Sequence, residues 1–262
     1  MSALKAMFSF FTMIRMDITK EDMDDMDRKF HLVPVVGLFY GILAVILMVA
    51  FSEIIFVLAA AVLTLFVIQA MNRFLHLDGT IDVGDGLTVA GEREDHLRAL
   101  KDTRIGAGGM VFAFFVMILT IAALSGIWIG YLIFVPLMAE ILAKNSMVSA
   151  AAFGTPGDGM AGNSVRNTTA RSLLISSLLS LFMILIYAVI VKELGWFSFD
   201  YNNARFWVSF IGVFIASIVT GAIMSAIAKK NFGMVNGDVL GATNEISRAV
   251  TLLMMLALIP VI

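Results

Sequence analysis

Three aspartates, Asp78, Asp82 and Asp85, stand four and three residues apart within the stretch MNRFLHLDGTIDVGDGLTVAGEREDHLRALKDTRIGAGGM, residues 71–110. On a helix that spacing puts the three carboxylates on one stripe. Like charges so placed repel, and a hard cation that takes oxygen ligands is the simplest compensation. The pattern predicts a Mg²⁺ site. Gly79 and Gly86 each follow an aspartate directly, and glycine lets a backbone or a ligand come close, which suits a phosphate. Downstream, Lys101, Asp102 and Arg104 lead into the run Gly106-Ala107-Gly108-Gly109. Arginine grips phosphate with a planar fork and lysine acts as a point charge. Acids and bases so combined suit metal-assisted phosphoryl transfer.

Two further stretches carry candidate chemistry. TPGDGMAGNSVRN, residues 155–167, reads as a glycine-rich polar loop with Asp158, Asn163 and Arg166, entered from Lys144. It is either a nucleotide or phosphate contact or an ordinary surface loop. Near the end of the chain Asp238, Gly241 and Glu245 stand three and four residues apart, again one helical stripe. Asp238, at the start of an apolar block, is either functional or a first-turn acid held by the helix dipole. Glu245, two turns further into an apolar block, points to metal or substrate contact, since carboxylates there are costly. His76 lies two residues before Asp78, so on a helix it points away from the carboxylate stripe and reads as structural.

The elements that must position these groups are membrane helices. Of 262 residues, 60% are hydrophobic, and the mean hydropathy is +0.95. Such a chain is too apolar for a soluble domain. It contains no cysteine and three separated histidines, which excludes disulfides and thiolate sites and argues against zinc. A net charge of −2 gives no electrostatic case for nucleic acid. Apolar blocks near 33–51, 54–71, 108–125, 127–143, 173–191, 206–228 and 239–262 each approach the ~20 residues that a helical span needs. The fold expected is all-α: one integral membrane domain over 1–262, a helical bundle of about seven transmembrane helices with an N-terminal interfacial helix. Within it, 1–32 form an amphipathic and then charged N-terminal segment, with 17–29 a solvated linker, and 72–107 an acidic motif of loop and helices. The pairs Gly37 with Gly41 and Ala222 with Ala226 suit close helix packing. Counting Arg248 with the polar start of the last block, sixteen of the 18 Lys and Arg fall on one side of this topology. The positive-inside rule puts the N-terminus and the acidic motif in the cytoplasm, at the cell membrane.

HLDGTIDVGDGL followed by KDTRIG resembles the paired signature of the cobalamin (vitamin B12) synthase family, adenosylcobinamide-GDP ribazoletransferase, usually HLDGLADTADGL and KDSRIG. FSFFTMIRM, VPVVGLFYG and GDVLGATNEISRAVTLL extend the likeness over nearly the whole chain. Thr80, Ile81, Gly84 and Thr103 depart from the usual residues, and Lys144 stands where many members carry Arg, but every carboxylate of the signature is kept. The resemblance implies an Mg²⁺-dependent transferase acting late in cobalamin biosynthesis. The 5′ hydroxyl of α-ribazole, or of its 5′-phosphate form, is expected to attack the cobinamide-side phosphorus of adenosylcobinamide-GDP. GMP leaves, and adenosylcobalamin or its 5′-phosphate forms. On this reading Asp78, Asp82, Asp85 and Asp102 hold the metal, and Asp82, Asp85 and Glu245 are the catalytic carboxylates. Lys101, Arg104, Asn163 and Asp238 bind substrate. The lipid bilayer is a partner, with a second copy or other corrinoid-assembly enzymes implied by resemblance alone.

Two other classes compete. A CDP-alcohol phosphotransferase also uses membrane aspartates and metal, but its DGxxAR pattern is missing, since Asp78-Gly79 runs on to Thr80, Ile81 and Asp82. A transporter would set its acids along a path at mid-membrane, whereas these acids gather at span ends.

Overall fold

Prolines and charged joints cut the apolar sequence into helices, and the computed structural model describes residues 2–195 and 204–258 of them. In chain order these are α1 (Ser2–Phe11), α2 (Lys20–Arg28), α3 (Pro34–Ser52), α4 (Val57–Met71), α5 (Leu75–Thr88) and α6 (Arg93–Leu100). The second half holds α7 (Ala107–Gly126), α8 (Val135–Phe153), α9 (Gly159–Asn167), α10 (Ala170–Glu193), α11 (Ala204–Asn231) and α12 (Gly237–Leu258). Among the described residues there is no strand, only an isolated parallel bridge between Pro156 and Val235. The fold is all-α, as composition and periodicity require.

Each of the seven apolar blocks forms a helix, although residues 259–262 of the last expected span lie outside the described residues. Among the described residues four helical stretches are long and apolar enough to cross a membrane: Phe30–Ser52, Ala107–Gly126, Ala170–Glu193 and Arg205–Asn231. Joining α4 to α5 makes a fifth, but the two are bent by 93°, and the acidic α5 reads as lying outside the spans. These helices suit a multi-pass membrane protein. The expected count of about seven spans is not reached on length and hydropathy, because α8 and α12 carry charge inside their apolar blocks. Glu140 and Lys144 interrupt α8, and Asp238, Glu245 and Arg248 interrupt α12. Both helices are wrapped by others, so these groups face protein and not lipid.

Helix α8 is the hub, with Val135 to Ala151 buried without a break. Its start is displaced from the expected 127–143 because Pro136 opens the helix, where a missing N–H costs nothing. Packed around it are α3, α10, α11 and α12. Gly37 and Gly41 let α3 meet it closely: a Cβ on Gly37 would stand 2.7 Å from the Glu140 carbonyl oxygen, and one on Gly41 2.7 Å from Leu137 Cα. In α11 the close approach is made by Gly221 against Ser146 and Ser149, whereas Ala226 of the expected small-residue pair is exposed.

The N-terminal segment is more ordered than its charge pattern indicates. Residues expected as a linker form α2, started by a reciprocal capping box between Thr19 and Asp22. Its Asp25 accepts hydrogen bonds from Ser2 Oγ and, at 3.1 Å, from Ala3 N, which ties α2 to α1. The other end of α1 is fixed by two donors. Tyr40 Oη reaches the Phe11 carbonyl at 2.6 Å, and Arg73 reaches the Phe10 carbonyl at 2.7 Å. Both satisfy carbonyls that a helix leaves unpaired at its C-terminus. Arg73 and Phe74 at the sharp α4–α5 joint both have φ of 57°, a left-handed conformation that costs a non-glycine residue energy.

Candidate active site

Helix α5 lies between α7 and α12, and its glycines set how closely. A Cβ on Gly79 would sit 2.8 Å from both Cα and the carbonyl oxygen of Asp238 in α12. Gly79 thus makes room for backbone, not for the phosphate expected from sequence, and Gly86 makes room for the Phe232 ring. Backbone cannot rotate aside as a side chain can, so Gly79→Ala must push α5 off α12. We expect a loss of about 1–3 kcal/mol, the usual cost of overpacking, to be measured by thermal unfolding in detergent.

That close crossing brings Asp238 beside the α5 acids. The Asp82 carboxyl is pushed up to about 7, first by burial and then by the charges of Asp238, Asp78 and Asp85. Asp238 takes a hydrogen bond from Asn236 Nδ2 at 2.7 Å, and Asn236 Oδ1 in turn accepts from Val239 N at 3.1 Å. Asp85 is occupied differently. Its two oxygens accept the backbone N–H groups of Gly106 and Gly109, each at 2.7 Å, so that it caps α7 from outside that helix. The glycine run after Arg104 therefore serves this junction: a Cβ at Gly106 would fall 2.2 Å from Asp85 Oδ1, and one at Gly109 2.3 Å from the Ile81 carbonyl oxygen.

The four carboxylates expected to share a metal are not drawn together. Asp102 folds back on Arg104, accepting its Nε at 3.2 Å and a terminal guanidinium nitrogen at 3.0 Å, in the exposed turn between α6 and α7. Lys101 and Arg104 are both exposed there. Among the described residues no group of three or more histidine, aspartate or glutamate side chains is arranged tightly enough to hold a metal ion. What remains is the mutually repelling set Asp78, Asp82 and Asp238, all hard oxygen donors of the kind Mg²⁺ takes.

Asp78 and Asp238 border a pocket of about 100 Å³ between the N-terminal helices and the starts of α5 and α12. Phe10, Phe11, Met26 and Phe30 form much of its wall, and His76 lines it as well. The α1 end that supplies Phe10 and Phe11 is the one held by Tyr40 and Arg73. Sequence reasoning missed His76, since the stripe argument turned it away from the acids. It also missed this wall, for which the aromatic run FSFF was the available sign. The stretch 155–167 is not a loop throughout: TPGD leads into α9, and Thr155 and Gly157 pair with Val235 at 2.7 and 3.1 Å. Asn163 on α9 is exposed and accepts from Arg166 at 3.0 Å, while Ser164 donates to Asp27 at 2.6 Å.

Glu245 lies deeper than a cleft residue. It is fully buried and accepts from Gln69 Nε2 at 2.6 Å, from Asn244 Nδ2 at 3.0 Å and from Arg248. Arg248 also forks onto Glu140 of α8, at 2.6 and 3.1 Å. Lys144 joins through Asn244 Oδ1 at 2.7 Å and lies over the rings of Phe11 and Tyr40, 5.8 and 5.6 Å from their centroids. Protein donors thus fill both sites of Glu245 Oε2 and one of Oε1, which leaves little of the carboxylate for a substrate. The sequence signs of this network were charges inside apolar blocks, Glu140 and Lys144 among them.

Comparison with known proteins gives a consistent picture. A family model described as cobalamin-5-phosphate synthase matches residues 3–256. A protein named adenosylcobinamide-GDP ribazoletransferase from Methanocella arvoryzae is 32% identical over 96% of this chain and 94% of its own length. One of the same name from Methanosarcina barkeri is 31% identical over 98% of this chain and 92% of its own. Another from Pyrococcus abyssi is 32% identical over 75% of this chain and 76% of its own. No solved structure matches.

Proposed function

The chain belongs to the cobalamin-5-phosphate synthase family and is a transferase of cobalamin synthesis, and from that premise we propose that it is an adenosylcobinamide-GDP ribazoletransferase. It joins adenosylcobinamide-GDP to α-ribazole or α-ribazole 5′-phosphate. The 5′ hydroxyl expected from sequence is esterified in the 5′-phosphate form, so the attacking group is a ribose hydroxyl that both forms retain, hence a secondary one. A bond forms from that oxygen to the cobinamide-side phosphorus, the bond from that phosphorus to the GMP oxygen breaks, and the hydroxyl proton is taken up by a carboxylate. The products are adenosylcobalamin, or its 5′-phosphate, and GMP. The observation that supports this most is the approach of Asp82 to Asp78 and Asp238 from two helices, with Asp78 and Asp238 bordering one pocket.

Asp78, Asp82 and Asp238 would have to draw closer to hold Mg²⁺, since no three acids among the described residues are tight enough as they stand, with Asp85 next to them fixing the start of α7. Bound there, the ion supplies neutralisation of the pyrophosphate charge. Asp82 is partly buried beside the other two, and one carboxylate of this set takes up the hydroxyl proton. Lys101 and Arg104, on the exposed α6–α7 turn, bind phosphate oxygens once Asp102 yields the guanidinium, and Asn163 meets the nucleotide from α9. Glu245 acts through the helix it anchors. The acidic motif faces the cytoplasm at the cell membrane, in keeping with the sixteen Lys and Arg on its side of the topology.

Purified protein in detergent is expected to release GMP from adenosylcobinamide-GDP when both α-ribazole and Mg²⁺ are present, with a cobalamin product. Omission of either should stop release. Release that is indifferent to EDTA would remove the metal from this reading. A folded preparation that releases nothing would remove the reaction.

A further inference from the structure

The last four carbonyls of α1, which a helix leaves without partners of its own, are all taken by protein donors. Phe8 O accepts from Thr12 Oγ1 and, at 3.1 Å, from Thr12 N. Ser9 O and Phe10 O accept from Arg73 at 3.4 and 2.7 Å, and Phe11 O accepts from Tyr40 Oη at 2.6 Å. Water would serve a helix end that faces solvent. The apolar layer of a bilayer supplies no donors, so an end placed there must find them all in protein.

The neighbours of this end set its depth. The Phe8 ring meets the Phe39 ring at 5.6 Å, and Phe39 and Tyr40 both lie well inside the span Phe30–Ser52. On the other side Arg73 belongs to the α4–α5 joint, where the exposed ring of Phe74 lies 6.2 Å from the exposed ring of Phe66 on α4. Phe66 continues the apolar stripe of Leu58, Val62 and Leu63, all exposed on one face of α4. The end of α1 is thus tied to the rim of a lipid-facing surface.

Every residue of α1 is itself buried or half-buried. The exposed apolar groups come just after it, where Met13, Ile14 and Met16 are 57, 37 and 38% exposed around the exposed Arg15. The segment is not frayed: Ile14 N donates to Thr12 Oγ1 at 3.0 Å, and Thr12 is buried.

We infer that the segment Met13–Met16 is set into the boundary between lipid headgroups and acyl chains, with its three apolar side chains among the chains and the Arg15 guanidinium on a phospholipid phosphate. A guanidinium forks onto phosphate oxygens, and its long stem lets the charge stay with the headgroups while its neighbours go deeper. The interfacial contact belongs to this segment and not to the helix before it. Continuity with the exposed face of α4 selects the bilayer over a protein partner. Because Phe10 and Phe11 wall the pocket beside Asp78 and Asp238, the bilayer then holds one side of that pocket.

The chain has no cysteine, so Met13→Cys, Met16→Cys and Glu94→Cys, the last on the exposed side of α6, can each carry a single bimane label. The proteins are placed in vesicles of phosphatidylcholine and phosphatidylglycerol. A nitroxide on the lipid just below the headgroup should quench the labels at 13 and 16 several-fold more than the label at 94, and iodide in the water should do the reverse. Adding Arg15→Gln to the Met13→Cys protein should lower the ratio of inserted to withdrawn label about fivefold, the effect of one basic residue at an anionic surface. Labels at 13 and 16 that iodide quenches as fully as the one at 94 overturn the inference. So does protection from iodide without quenching by the lipid: if it fades as the protein is diluted in lipid, a second copy covers the segment, and if it stays, the chain's own fold does. Lipid quenching that Arg15→Gln leaves unchanged overturns the phosphate contact.

Discussion

Asp82→Asn is expected to lower GMP release by about 10²–10⁴-fold, the range for removing a catalytic acid or base, while making the metal-free protein more resistant to heat. The two effects have one origin. Asp82 is partly buried among Asp78, Asp85 and Asp238, and its carboxyl is pushed up to about 7. In the unfolded chain it titrates near 3.9, as a free aspartate does. Between those values the folded state binds a proton that the unfolded state does not. Folding is therefore favoured as pH falls from about 7 towards 4 and disfavoured as it rises back through 7. Asparagine removes the charge and should flatten this dependence. Mg²⁺ should raise the melting temperature of the wild type at pH 7.5 and leave that of Asp82→Asn nearly fixed. Melting curves with EDTA and with Mg²⁺, at pH 5 and 7.5, read all of this. An Asn variant that melts earlier than the wild type in EDTA would mean that the cluster is not under electrostatic strain.

Arg248→Ala is expected to be the most damaging single change to the fold. It removes a guanidinium that is 2% exposed and leaves both Glu140 and Glu245 without their cation. Breaking a buried pair in this way typically costs about 3–5 kcal/mol, a large part of a domain's net stability. Folded yield in mild detergent, followed by size-exclusion chromatography, should fall sharply. The companion variant Glu140→Gln, Lys144→Met, Glu245→Gln, Arg248→Met removes the two acids and both buried bases together. Because replacing a whole buried ionic set is often neutral or better, this quadruple variant should recover much of the folded protein. Failure of the quadruple variant with survival of the single one would assign the network to something other than charge balance.

Much of this architecture was legible in the sequence, for identifiable reasons. The stripe at Asp78, Asp82 and Asp85 is a property of helical period, and α5 is helical over all three. The apolar blocks announced α3, α4, α7, α10 and α11 through length and hydropathy. What was not legible depends on contacts between distant segments. Asp238 reaches the α5 acids because Gly79 lacks a Cβ, and glycine next to aspartate looks the same whether it admits a phosphate or a helix. Asp85 looks equivalent to Asp82 along the chain, yet α7 begins against it and takes both of its oxygens. Helix α8 was misplaced because hydropathy treats Lys144, Asn145 and Ser146 as an exit from the membrane, whereas here they are buried among helices. His76 was set aside on a two-residue offset that the α1 wall makes irrelevant.

The pairing of Glu140 with Arg248 joins residues 108 positions apart, and that separation is also an interval of time. At roughly 5–20 residues per second, the ribosome makes Arg248 about 5–20 s after Glu140. Through that interval the acid of the central helix has no guanidinium, and the helix most in need of neighbours is the one made before most of them. A nascent chain halted before α12 holds a carboxylate with no cationic fork inside an apolar bundle.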